Sequence, residues 1–239
     1  MKYRSLVSFL LFVSLQAVPF LSMADIQTVV IEAGADNTLY EDAGGSVSNG
    51  SGSIMLTGRI NSEVDSIRRA LLYFDVAGSL PYGAVVEAVT LRLYLGRGNG
   101  GAREVRVHRL LTDWGEGASA VNGGGLGAPA EPGDATWVHT FYPDSAWGPD
   151  GGRYVGRVSA TQLVGDDGLS NDIPGSYVWG STDRLIDDVR RWQRNPDKNY
   201  GWILVGDESV KQTAKRFVSR ESVDAAMRPM LEVTFSIPE

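Results

Sequence analysis

One segment constrains the fold of this chain more than any other: Tyr177 to Glu208, YVWGSTDRLIDDVRRWQRNPDKNYGWILVGDE. Ser181 or Thr182 offers a hydroxyl that can accept from the unpaired N–H groups of a first helical turn. Asp183 follows where negative charge favours a helix N-terminus, and Arg190 and Arg191 lie toward the other end. Leu185, Ile186, Val189 and Trp192 fall at i, i+1, i+4 and i+7, so all four share one face. Asn195-Pro196 then stops the run, because proline disfavours helical geometry in the residue before it. This predicts an amphipathic helix over about residues 182–194. Trp202-Ile203-Leu204-Val205 has no polar alternation and predicts a strand covered on both faces. The helix therefore needs a sheet supplied by the rest of the chain.

That sheet is legible as short β-like segments separated by turn signals. Val29-Val30-Ile31, Asn37–Glu41 and Ile54-Met55-Leu56 come first, with Asn49-Gly50 marking a turn between the last two. Ala70–Val76 is apolar nearly throughout and reads as a central strand. Val89, Leu91, Leu93 and Leu95 alternate with Thr90, Arg92 and Tyr94, the period of a strand with one buried and one wet face. Val105 and Val107 repeat the pattern, Trp137–Phe141 gives a further strand, and Ala214–Ser219 and Leu231–Phe235 close the series. About nine or ten strands with one helix predict an all-β fold, a jelly-roll-like antiparallel sandwich, since a βαβ fold needs a helix between successive strands. Gly115 to Asp134, rich in glycine, alanine and proline, reads as a long surface loop.

The first 24 residues carry a targeting pattern: Lys2 and Arg4, an apolar run from Leu6 to Val13, and Ser22-Met23-Ala24. A secretory signal peptide over 1–24 leaves a single domain at 25–239 with 20 basic and 29 acidic residues, a formal charge of −9. Such an acidic chain is poorly suited to nucleic acid, which needs clustered Lys and Arg. The leader's apolar run is shorter than the roughly 20 residues of a membrane span, so no span is expected. Cysteine is absent, so the core must hold the fold by itself, helped at most by a bound ion.

Motifs for catalysis are missing. His108 and His139 are the two histidines, no Gly-x-Ser-x-Gly elbow accompanies them, and they lack metal-ligand spacing. Asp187-Asp188 reads as the wet face of the helix. Asp166, Asp167 and Asp172, close to Gly168 and Ser170, supply hard oxygen ligands and are the candidate site for a structural calcium ion, the single cofactor suggested.

The tryptophans are more informative. Trp179, Trp192 and Trp202 belong to the core by their pattern, whereas Trp114 opens the long loop and either packs beneath it or stands at its mouth. Trp147, with Tyr142 before it, lies among Pro, Asp and Gly residues ill-suited to bury it. An exposed aromatic ring stacks on the C–H face of a sugar; the alternative is that Trp147 closes over a sheet edge as a lid. Arg97, Arg103 and Arg153 flank the same loops and could read the carboxylates of an acidic polymer.

Several segments together resemble the DNRLRE-domain family: Asp36-Asn37-Thr38-Leu39-Tyr40-Glu41, RRALLYFDV from Arg68, LRLYL from Leu91 and Thr112-Asp113-Trp114. Asn199-Tyr200-Gly201, Arg216-Phe217, Ser219-Arg220-Glu221 and Arg228-Pro229-Met230-Leu231 continue the likeness over nearly all of residues 25–239. Thr38 and Tyr40 stand where the family often has arginine, and the glycine-rich insertion after Trp114 exceeds its simplest members. The resemblance implies an exported or cell-surface bacterial jelly roll of the kind appended to polysaccharide-degrading enzymes. It thus implies a polysaccharide ligand and a cell-surface or enzyme partner, not catalysis. A structural or adhesive envelope protein that binds protein and no sugar is the other class. An aromatic row on a face or rim favours the first, an open edge strand the second.

Overall fold

β6 (Val85–Gly98) is long enough to serve two layers, and it organises the sheet. A computed structural model describes residues 25–121, 125–165 and 175–238. In chain order the remaining strands are β1 (Asp25–Glu32), β2 (Ala35–Tyr40), β3 (Val47–Ser48), β4 (Ile54–Arg59) and β5 (Ile67–Tyr73). After β6 come β7 (Arg103–Arg109), β8 (Ala128–Pro129), β9 (His139–Phe141), β10 (Ser145–Ala146), β11 (Ala160–Val164) and β12 (Ser176–Trp179). β13 (Trp202–Val205), β14 (Lys215–Val218) and β15 (Met230–Ile237) end the series. The helices are a single turn, α1 (Val76–Ser79), and α2 (Asp183–Arg194). No described helix is long and apolar enough to cross a membrane.

Eleven of these strands form one large curled antiparallel sheet in the order β1-β15-β6-β14-β4-β5-β13-β7-β11, with β12 added to β6 and β2 to β5, while β3 pairs with β8 and β9 with β10. Val85 to Arg92 of β6 pair with β15, while Leu95 to Gly98 pair with β14. The strand thus passes from one layer of a β-sandwich to the other. Val89, Leu91, Leu93 and Leu95 all point into the main core, as their period of two requires. The expected all-β sandwich with one substantial helix is the architecture found.

α2 closes one side of that core. Thr182 caps it, its hydroxyl accepting from the Leu185 N–H at 3.1 Å, and Asn195 ends it. Leu185, Val189 and Trp192 are fully buried, and the Trp192 and Trp202 rings meet edge-on with centroids 4.5 Å apart. The Arg190 guanidinium donates to the Val86 carbonyl at 2.6 Å, fastening the helix to β6. One expectation fails here. Asp188 is not on the wet face but buried, its Oδ2 accepting from Ser159 Oγ at 2.6 Å and Trp202 Nε1 at 2.9 Å. Position i+3 from Leu185 lies beside the apolar stripe, and the inward indole N–H there needs an acceptor.

β13 is covered on both faces. Trp202 and Leu204 belong to the main core, Ile203 and Val205 to a second one. That second core consists of Leu39, Leu71, Ile203 and Val205 from the outer face of β2, β5 and β13, together with Leu110, Trp114, Ala135, Trp137 and Trp147. The segment after β7 therefore carries a packed outer layer, with Leu110 and Trp114 before the glycine-rich stretch and Ala135, Trp137 and Trp147 after it. Glycines permit the close approach: a Cβ on Gly115 would lie 1.9 Å from the Gly133 carbonyl oxygen, and one on Gly50, in the turn between β3 and β4, 1.6 Å from that of Glu116.

Candidate functional site

The residues expected at the site are spread through this architecture. Trp147 is only 2% exposed, and its indole N–H donates to the Thr136 carbonyl at 2.8 Å, so it is no stacking platform. It takes the lid-like role instead. Small and turn-forming neighbours let the chain bend sharply enough to turn the ring inward onto the apolar outer face of the sheet. Tyr142 is half-buried, edge-on to His139 at 5.2 Å, and does not join Trp147 in the second core. Arg103 is paired with Asp207 at 3.1 Å. Arg97 is exposed on β6, opposite Arg216, and Arg153 is exposed where Leu111 N–H donates to its carbonyl. These arginines do not converge with the aromatics. Asp166, Asp167 and Asp172, the calcium candidates, lie outside the described residues, as do residues 1–24. Among the described residues no group of three or more His, Cys, Asp or Glu is arranged to hold a metal.

Trp114 leads to a different site. Though only 8% exposed, it lines an open cleft of about 320 Å³ with Tyr73, Tyr200, Asp113, Asp197 and Asn199. Tyr73 comes from the end of β5, Asp113 and Trp114 from the turn after β7, and the other three from the connection between α2 and β13. The rim is braced from below. Trp114 Nε1 donates to the Tyr200 carbonyl at 2.9 Å, and Asn199 Nδ2 donates to the Phe74 carbonyl at 2.7 Å. Gly201, with φ of +73°, passes so close to β5 that a Cβ would sit 1.9 Å from the Leu72 oxygen. Burial, reinforced by the charges of Asp75 and Asp113, raises the Tyr73 phenol above its usual range, so it stays a neutral hydroxyl. Three aromatic side chains and two carboxylates thus border one opening. Such a surface can pack against C–H groups while accepting hydrogen bonds from hydroxyls. Tyr73 and Tyr200 were missed as site residues because nothing in their local sequence sets them apart; the pairing of β5 with β13 brings them together.

A second polar constellation is structural. Asp36 is fully buried, its Oδ2 accepting from Arg220 N–H at 2.7 Å and its own N–H donating to Glu116 Oε1 at 2.8 Å. The Arg220 guanidinium bonds to Glu116 at 3.1 Å and Glu221 at 3.0 Å. Burial first, then the charge of Glu221, holds the Asp36 carboxyl well above the usual carboxylate range, and burial raises Glu116 as well. Perturbed carboxylates often mark active sites, but Asp36 has no exposed surface to meet a substrate. Its neighbours act alike: Asn37 Nδ2 donates to the Glu116 and Ala135 carbonyls, and Glu41 Oε2 accepts from the Ser66 and Ile67 N–H groups. The segment 36–41 is a brace between loops. Asn49, which with Gly50 and Ser51 matches the pattern of a glycosylation acceptor, is likewise buried, its amide oxygen accepting from Val121 N–H and its amide nitrogen donating to the Ile54 carbonyl.

Compared with protein-family models and with curated proteins, the chain matches no family model and no curated sequence at significant similarity.

Proposed function

We propose that this protein is a non-catalytic module that binds extracellular or cell-surface polysaccharide in the cleft bordered by Tyr73, Trp114 and Tyr200. The observation that carries the reading is the cleft itself, where three aromatics and the carboxylates of Asp113 and Asp197 meet on one open surface. The secretory pattern of residues 1–24 and the likeness to DNRLRE domains support it from the sequence side. Export to the cell exterior or surface belongs to the same proposal. Tyr200 is the residue to test, being half-exposed, whereas Trp114 is too buried to remove without disturbing the second core. Calorimetric titration with a panel of neutral and acidic oligosaccharides should show binding. Tyr200→Ala should weaken it by about 1–3 kcal/mol, on the scale of base stacking on aromatic side chains. A folded protein that binds no glycan in the panel would overturn the reading.

The structural or adhesive alternative has its own support. β1 and β11 stand at the two ends of the strand order, and Ile26, Val30 and Leu163 on them are exposed. Such edges are templates for pairing with another chain. Assembly that rises with concentration in the absence of sugar, measured by sedimentation, favours this second reading.

A further inference from the structure

We propose that a second cleft, between α2 and the end of β7, is a binding site for an oxyanion group: a carboxylate, sulfate or phosphate. The inference goes beyond the aromatic cleft and does not depend on it. Arg184 and Arg191 lie seven residues apart on one face of α2, with Asp187 and Asp188 between them. Arg109 from the end of β7 and Arg157 from the segment before β11 complete the wall around about 260 Å³. Four guanidinium groups therefore face two carboxylates, an excess of two positive charges in a chain whose formal charge is −7.

The two carboxylates are not equivalent. Asp188 is already committed: its Oδ1 accepts from Arg109 Nε at 2.8 Å, while Ser159 and Trp202 hold its Oδ2. This triple attachment fixes Arg109 at the floor of the cleft and neutralises its charge. Arg157, Arg184 and Arg191 are exposed, and no side-chain hydrogen bond or ion pair occupies them among the described residues. Asp187 alone remains to balance these three. Guanidinium groups are planar, permanently charged forks that match carboxylate, sulfate and phosphate oxygens two at a time. Three of them around one opening repel one another until an anion enters, so the cleft is electrostatically prepared for one.

Such a group can arrive as a free ion or as part of a charged polymer, and titration separates the sources. The protein is titrated at low ionic strength with inorganic sulfate, with inorganic phosphate and with oligogalacturonate. Saturable binding of at least one probe is expected, weakening steeply as salt rises, because the pairs are exposed to screening. Binding of the small ions points to a free anion; binding of the oligomer alone points to a polymer-borne group. The doubly substituted Arg184→Ala/Arg191→Ala protein should lose at least tenfold in affinity while keeping its melting temperature. Asp187→Asn, which removes the opposing charge, should gain several-fold. Tyr200→Ala, in the other cleft, should bind inorganic sulfate and phosphate as the wild type does. The proposal is overturned if no probe binds the wild type, if the double variant binds unchanged, or if Asp187→Asn binds no better. It is equally overturned if Arg97→Ala, an exposed arginine elsewhere, loses as much as the double variant.

Discussion

Asp36 and Asn37 show how much a single polar side chain can hold together. Asp36 anchors the backbone at Arg220 with one carboxylate oxygen, yet its other oxygen, like Oε2 of Glu221, is buried with no hydrogen-bond partner. Charge there is costly, which is why its proton is held to higher pH than usual. For a carboxyl whose folded-state pKa is raised, the stabilising contribution is fully present below the unfolded value of about 3.9 and is lost as pH rises through the folded value. Asp36→Asn keeps an acceptor for Arg220 and offers an N–H group toward the neighbouring carboxylates. Urea midpoints measured across pH should therefore show the variant gaining on the wild type as pH climbs from about 4 toward neutrality. A flat difference between the two proteins across that range would mean that Asp36 titrates normally.

At the scale of elements, α2 presents three differently built faces. Trp192 is buried against Trp202, so Trp192→Ala should cost about 3–5 kcal/mol. Asp187, one turn back and exposed, should cost under about 0.5 kcal/mol when changed to alanine. Between them Asp188 joins helix, strand and loop, and removing it leaves Arg109 partly buried beside an unpaired indole N–H and serine hydroxyl. Asp188→Ala should thus resemble the core substitution in cost, about 3–5 kcal/mol. Denaturant midpoints rank the three. If Asp188→Ala matched Asp187→Ala, the buried network would contribute nothing to stability.

Among the described residues two large cores lie back to back, sharing the strands β5 and β13, and a smaller cluster holds Tyr40, Ile54 and Leu56. Trp147 belongs to the outer one, so Trp147→Ala should destabilise the fold by about 3–5 kcal/mol and not leave it intact as a surface loop substitution would. Hydrogen exchange should speed up most in the layer from Leu110 to Tyr154, with the β6–β15 pairing still protected. Uniform acceleration across both layers would show that they unfold as one unit.

What the sequence by itself determined was everything encoded locally. The capped helix from Thr182, the period-two register of Val89 to Leu95 and the two-sided burial of Trp202–Val205 follow from residue spacing, and each appears where that spacing places it. Long-range questions it left open or misled on. Asp188 looked like its wet neighbour Asp187 because nothing nearby in the chain announces Trp202, fourteen residues on, as its partner. Trp147 looked exposed because its neighbours are polar and small, yet a sheet apolar on both faces needs a cover, and the tryptophans of this segment were available to supply one. The two clefts belong wholly to the tertiary structure. Tyr73 and Tyr200, like Arg109 and Arg184, are far apart in the chain, and only the antiparallel pairing of β5, β13 and β7 and the docking of α2 bring them together.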